Sequence, residues 1–528
     1  MHTTETTPSR LRALKPMGAA LAGLVLLSGC QTYEQQSQAF TNATRSGSIA
    51  QAVGEIERRA EASKGKKDEI LLRLEQGATL RTAAMANPSE VPPIPSEPLP
   101  PVVEGEEPVA PVVPTAREVH DFYQRQALTA LDLAEEKVNE WEEKSKVKMG
   151  SEIGAALTNQ ANLPYRGHSY DKVMMNTYKA LSYLAIGDAD SARVELNRSL
   201  QRQRDAVEEN SKRIVEAQDE AEKARNGELK DEKGKTAKYD VSRAQSDGRS
   251  GPALEAALQA SIARMQPYGD YVNPFSVFLD GLYYSVLGVD GSDFERGRKS
   301  LERVAGIVPD NPYLVSDLEA ATAAAEGKTV EGVTYVIFET GTAPSRGQIR
   351  IDIPTYLVTS KLAYVGAAFP KLEYNDDYIS HLGIILSDGG ETSTSVIASM
   401  DSVVANDFKN AWPAVVTKSL IGTATKAIIQ AAIQKEIENR GGWAGQLLAA
   451  TLVSAASAST NIADTRTWTS LPKEFQYARV STPESRELVL VAGGEQKTVT
   501  LEPGSVNVVY VKSASSTAPL HVSQFALK

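Results

Sequence analysis

Hydrophobic periodicity shifts from helical to strand-like near Gly327, and that switch restricts what this chain can fold into. Before it, apolar residues recur every three or four positions, the spacing that puts them on one face of an α-helix. Ile49, Val53, Ile56 and Ala60 keep this spacing, and Ile70, Leu71, Leu74, Ala78 and Leu80 resume it after the polar break Ser63-Lys64-Gly65. After Gly327 the period falls to two: residues 333–339, 348–353 and 362–367 alternate as strands do. Further strands are expected at 382–386, 392–397, 474–480, 488–492, 497–501 and 506–511. Turns at Ser387-Asp388-Gly389-Gly390, Gly493-Gly494 and Pro503-Gly504 join several of them. Two helices, 412–439 and 443–462, interrupt the strands. The expected fold is α+β, an N-terminal helical domain followed by a β-rich domain with an inserted helical hairpin at 412–462.

The N-terminus carries a different signal. Arg10, Arg12 and Lys15 precede an apolar stretch, 17–27, that is shorter than the roughly 20 residues a membrane-spanning helix needs. This is the pattern of an export signal. It ends in Leu27-Ser28-Gly29-Cys30, which resembles the lipobox of bacterial lipoproteins, and Cys30 is the only cysteine in 528 residues. The resemblance implies cleavage before Cys30 and lipid on its thiol, leaving no cysteine for a disulfide or a metal. Two or three acyl chains make a stable anchor. Gln31 stands where inner-membrane retention signals of this class usually have Asp, which implies an outer-membrane location facing the periplasm. Removing residues 1–29 takes the net charge from −11 to −13. An acidic chain without a basic cluster argues against nucleic acid as a partner.

The mature chain divides by composition. Residues 30–86 hold the lipidated N-terminus and a first helix pair, and 87–115 form a linker or insertion with ten prolines between Pro88 and Pro114. Proline lacks the N–H that a helix or ladder requires, so that segment is expected to be extended and solvated. Residues 116–327 read as helical and 328–528 as the β-rich domain. Within the helical part, Tyr178, Leu181 and Leu184 share a face, Gly187-Asp188 turns the chain, and Ala192 lets a second helix approach. This resembles a tetratricopeptide repeat. A second copy runs from Phe275 to Pro309. The helix after Gly187 continues as a charged run to Ala224, followed by a polar break at 226–252.

No residue pattern announces chemistry. The five histidines, His2, His120, His168, His381 and His521, form no metal-binding spacing. No nucleophile elbow or phosphate-binding glycine loop is present. No catalytic residue, metal or cofactor is therefore assigned, and the chain is expected not to be an enzyme. The candidate partner-binding loop is 163–171, with Tyr165, Arg166, His168 and Tyr170. Exposed aromatics would make it a binding surface, whereas buried ones would make it the cap of the helix stack. The loop at 465–472 with Arg466 and Trp468 is a ligand contact or a plug between hairpin and sheet. The uncharged run 441–463 is long enough to cross a bilayer, but its many small residues favour a packed helix.

This order of elements, with Tyr178-x-x-Leu181-x-x-Leu184-x-x-Gly187-Asp188, Phe338-Glu339-Thr340-Gly341 and Thr467-Trp468-Thr469-x-Leu471-Pro472, resembles an uncharacterised family of outer-membrane lipoproteins. That family pairs tetratricopeptide-like repeats with a C-terminal β-rich domain. The resemblance implies location and architecture and no activity. The expected function is a membrane-anchored periplasmic scaffold or assembly factor, bound to a periplasmic or outer-membrane protein through the repeat groove. The alternatives are a peptidoglycan- or other glycan-binding lipoprotein acting through the β domain, or a hydrolase without a recognisable motif.

Overall fold

The computed structural model describes residues 33–95, 113–147, 160–228, 238–266, 268–269, 271–354, 364–440 and 462–528. Cys30 and 441–461 lie outside them. The fold is α+β, with helices in the N-terminal part and strands in the C-terminal part.

Four helices open the described chain: α1 (Tyr33–Arg45), α2 (Ile49–Ala62), α3 (Glu69–Met85) and α4 (Ala116–Val147). The α2 positions chosen by spacing are all buried, and the break falls where expected, at Gly65 with φ +71°. Helix α3 is buried over nearly its whole length. Gly77 lets it close on α4, since a Cβ there would lie 2.5 Å from Leu131. The described start of the proline-rich segment is largely exposed as expected, with Pro88–Glu90, Pro93 and Pro95 at the surface, but it is pinned to the fold at one point. Val91 is buried and Tyr123 of α4 donates to the Pro92 carbonyl at 2.6 Å.

Helix hairpins follow. In α5 (Ser169–Ala185) and α6 (Ala189–Asn226), Gly187 turns the chain at φ +81° and Asp188 caps α6 by accepting from the Ser191 N–H at 3.0 Å. The segment read as a polar break contains α7 (Val241–Ser246), followed by α8 (Ser250–Ile262). Helix α7 forms because Asp240 caps it and Val241 and Ala244 are buried. The second hairpin is α9 (Pro274–Leu287) with α10 (Gly291–Ile307), and α11 (Leu314–Ala325) closes the series.

Strand β1 (Val333–Thr340) is buried at every residue because it lies at the centre of the molecule. It pairs in parallel with β10 (Val506–Ser513) and antiparallel with β7 (Glu474–Ser481). The central sheet runs β11-β10-β1-β7-β6, with β6 (Ser395–Ser399) and β11 (His521–Ala526) at its edges. Its two faces have different neighbours. Tyr335, Ile337, Phe475, Tyr477 and Tyr510 join the core of the helices. Val336, Phe338, Ala478, Val509 and Val511 instead pack on a second sheet, β5-β4-β8-β9, through Ile384, Leu488, Leu490 and Val499. In that sheet β4 (Gly383–Leu386) pairs with β5 (Glu391–Ser393), and β8 (Glu487–Ala492) with β9 (Glu495–Thr500). The expected turn at Pro503-Gly504 is a crossover between sheets, because β10 pairs with β1 and β11 rather than with β9. A ribbon of β2 (Ser345–Pro354) and β3 (Tyr364–Glu373) packs beside them.

Helix α12 (Met400–Arg440) is the first arm of the expected inserted hairpin. It starts twelve residues before the expected boundary at 412 and runs through Pro413. The second arm lies outside the described residues.

The expected boundary at 327/328 marks a change of secondary structure within one continuous core. Phe275 of α9 stacks on Phe475 at 3.9 Å, and Phe278 meets Tyr477 at 4.4 Å. Glu339 of β1, fully buried, ties four elements together. It accepts from Tyr178 of α5 at 3.2 Å and from Tyr510 of β10, with Lys512 at 2.9 Å and Arg81 of α3 at 3.4 Å. A buried carboxylate is tolerated only when paired and hydrogen-bonded in this way.

Candidate functional site

The two loops singled out in sequence, 163–171 and 465–472, meet in space. Three residues before the end of its loop, His168 sits at the N-terminus of α5, where a helix leaves backbone N–H groups unpaired. Its own N–H donates to Asp171 at 2.7 Å, and Tyr165 O–H donates to the same carboxylate oxygen. The His168 ring stacks on Tyr170 at 5.2 Å and meets Tyr165 edge-on at 5.5 Å. From the other loop, the Arg466 carbonyl lies 3.2 Å from His168 Nε2, so that nitrogen is the N–H donor. Tyr170 O–H and Thr467 Oγ1 are 3.0 Å apart.

Arg466 fastens the two loops. It binds Asp464 at 2.7 and 2.8 Å, Asp68 at 3.0 Å and the carbonyls of Leu163 and Gln160 at 2.7 and 3.1 Å. Glu75 of α3 holds the same loop by accepting from Thr469 N–H at 2.6 Å, Thr469 O–H at 2.7 Å, Ser470 N–H at 3.1 Å and Ser470 O–H. Trp468, fully buried, meets Tyr178 edge-on at 5.7 Å. The salt bridge expected of Arg466 is present, and Trp468 is buried against α5, whereas the hairpin arm it was expected to join to the sheet lies outside the described residues.

The four residues of the candidate partner-binding loop are thereby divided. Tyr165 and Tyr170 are buried and cap the helix stack, because their rings seal the end of α5 and their hydroxyls find partners inside. Arg166 is exposed and lies over the Trp141 ring at 5.6 Å. His168 is half-buried. Burial and the neighbouring Arg346 charge hold its pKa well below the ordinary 6.5, leaving the ring neutral. Burial pushes Asp171 up to about 7 against the hydrogen bonds it accepts.

Beside this junction opens a cleft of about 310 Å³. Tyr165, Arg166 and His168 form one wall, and α6 contributes Arg213, Glu216 and Glu220. Arg346 comes from β2 and Lys418 from α12, while Asp464 and Arg466 close the rim. Arg346 also borders a second cavity of about 260 Å³, lined by hydroxyl-bearing residues of α1 and of the loop after Thr465. Sequence reading missed Arg213, Glu220, Arg346 and Lys418. Each is an ordinary charged residue in a helical or strand pattern, and only the packing of α6, β2 and α12 brings them together.

The polar groups here are unevenly satisfied. Arg346 Nη2 is 3.6 Å from Asp407 Oδ2, and His168 Nδ1 is 3.7 Å from the same oxygen. Neither distance is a hydrogen bond. Arg346 Nε and Nη2 and both Asp407 oxygens are buried without hydrogen-bond partners. A cleft with cations and carboxylates on facing walls suits a polar ligand bearing charge. Among the described residues no cluster of three or more ligating side chains could hold a metal. No helix among them is long and apolar enough to cross a membrane. Comparisons with models of known protein families, with curated proteins and with solved structures found no match for this chain.

Proposed function

We propose that this chain is a lipoprotein of the cell envelope, held on the outer membrane by lipid on Cys30 and facing the periplasm. It acts as a binding scaffold with no catalytic activity of its own, and peptidoglycan occupying the cleft beside His168 is its ligand. The observation that carries this reading is the convergence of charged residues from a loop, α6, β2 and α12 on one cleft. A protein partner seated in a repeat groove is the weaker reading. The faces that α5 and α9 would offer are covered by Trp468, Phe475 and Tyr477.

The anchor is tested by fractionation: Cys30→Ser should leave the chain soluble, and retention on membranes after a high-salt wash would contradict the assignment. The ligand is tested by co-sedimentation of the Cys30→Ser chain with purified sacculi. Ser419 of α12 lines the cleft, so Ser419→Trp should fill it and abolish sedimentation. Sedimentation unaffected by that substitution would remove the cleft from the account.

A further inference from the structure

Two side chains of opposite charge on different walls of the cleft carry buried polar atoms that make no hydrogen bond. The Arg346 side chain is 5% exposed, and its Nε and Nη2 make no hydrogen bond. Its nearest carboxylate, Asp407, stands beyond hydrogen-bond reach at 3.6 Å and also lacks hydrogen bonds of its own. On α6, Glu220 Oε2 is buried without a partner. Its counter-ion, Lys418, stands 3.7 Å from the other oxygen, beyond hydrogen-bond reach. Buried polar atoms are almost always hydrogen-bonded, and leaving one unpaired is costly. A guanidinium matches a carboxylate with two parallel N–H donors, and a carboxylate matches an ammonium. The cleft volume lies at the small end of the range for small-molecule sites, which suits an occupant the size of an amino acid or short peptide.

We infer that the cleft takes a zwitterion, an amino acid or short peptide whose free carboxylate is received by Arg346 and whose free ammonium is received by Glu220. This rests on the reading of the cleft as a binding site, and it narrows the ligand to the peptide portion of a cell-wall polymer or to a free peptide of the same chemistry. Arg213, also on the α6 wall, forms no ion pair with a described residue and adds positive charge on the approach.

The test is calorimetric titration of the lipidated chain in detergent with alanylalanine of both L,L and D,D configuration. The same peptides are titrated with the carboxyl group amidated and, separately, with the amine acetylated. The free peptide of at least one configuration should bind, and each cap should weaken it by about tenfold or more. Arg346→Gln should erase the preference for free over amidated peptide while keeping the preference over the acetylated one, and Glu220→Gln should do the reverse. The comparison of capped ligands needs no variant, so it stands even if Arg346→Gln fails to fold. Equal binding of free and capped peptides, or no saturable binding, overturns the inference, and ordered water then satisfies the two groups. If sacculi sediment in a manner sensitive to Ser419→Trp while the caps make no difference, the inference falls and the cleft stands. If capped peptides are discriminated but sacculi do not bind, the zwitterion site stands and peptidoglycan falls.

Discussion

Asp171 does two things at once. As the carboxylate at the start of α5 it accepts the His168 N–H and the Tyr165 hydroxyl through one oxygen, while its other oxygen is buried without a partner. Burial accordingly raises its pKa from the ordinary 3.8 to about 7. A carboxylate raised in the folded state holds its proton longer than the unfolded chain does. Its contribution to stability is therefore complete below about pH 4 and is lost as pH rises through 7. Asp171→Asn keeps an accepting oxygen and places an amide donor where the unpaired oxygen sits. The variant should gain on the wild type between pH 4.5 and pH 8, at a scale of ~1.4 kcal/mol per unit of pKa shift. Urea midpoints of both proteins at the two pH values measure this. A difference that does not change with pH would mean that the carboxyl is not the titrating group.

At the scale of elements, α12 is the place where the sequence is most misleading. Trp412-Pro413 reads as a helix start, because proline is favoured in the first turn and costly later. The structure places Pro413 in the interior of a helix that begins at Met400. Residues 400–408 follow directly on β6, and Met400, Val404 and Phe408 are buried in the main core, so tertiary burial overrides the local signal. Pro413 itself is exposed. Replacing it with alanine restores an N–H donor to the helix without disturbing packing. Pro413→Ala should stabilise the protein by about 1–3 kcal/mol in urea denaturation, and a loss of stability would mean that the proline sets a bend the fold requires. Most of the strands and both hairpins were legible, because alternation and turn residues are local. Strand β11 was not, since Ser523 and Gln524 interrupt its pattern and its partner β10 defines it. Of the cleft, sequence gave the loop with His168 and nothing of Arg346 or Glu220, whose significance arises only from contact across layers.

For the whole molecule, the decisive feature is a central sheet that both halves of the chain cover. Repeats that buried their faces on one another would let residues 116–327 stand alone. In the structure Tyr178, Phe275 and Phe278 bury theirs against strands and loops from beyond residue 327. Exposing such aromatics costs on the order of 1.5–3 kcal/mol each. A fragment of residues 116–327 should therefore aggregate or show weak, uncooperative helical melting, and a soluble fragment with a sharp transition would restore the independent domain.

The central functional claim is that ligand enters between α6, β2 and α12 and leaves the repeat faces untouched. Hydrogen–deuterium exchange of the lipidated chain, with and without soluble peptidoglycan fragments, locates the contact directly. Added protection is predicted in residues 163–168, 213–220 and 411–423, the segments that contribute lining residues to the cleft. Protection confined to α10 and α11, with no change at the cleft, would contradict the account.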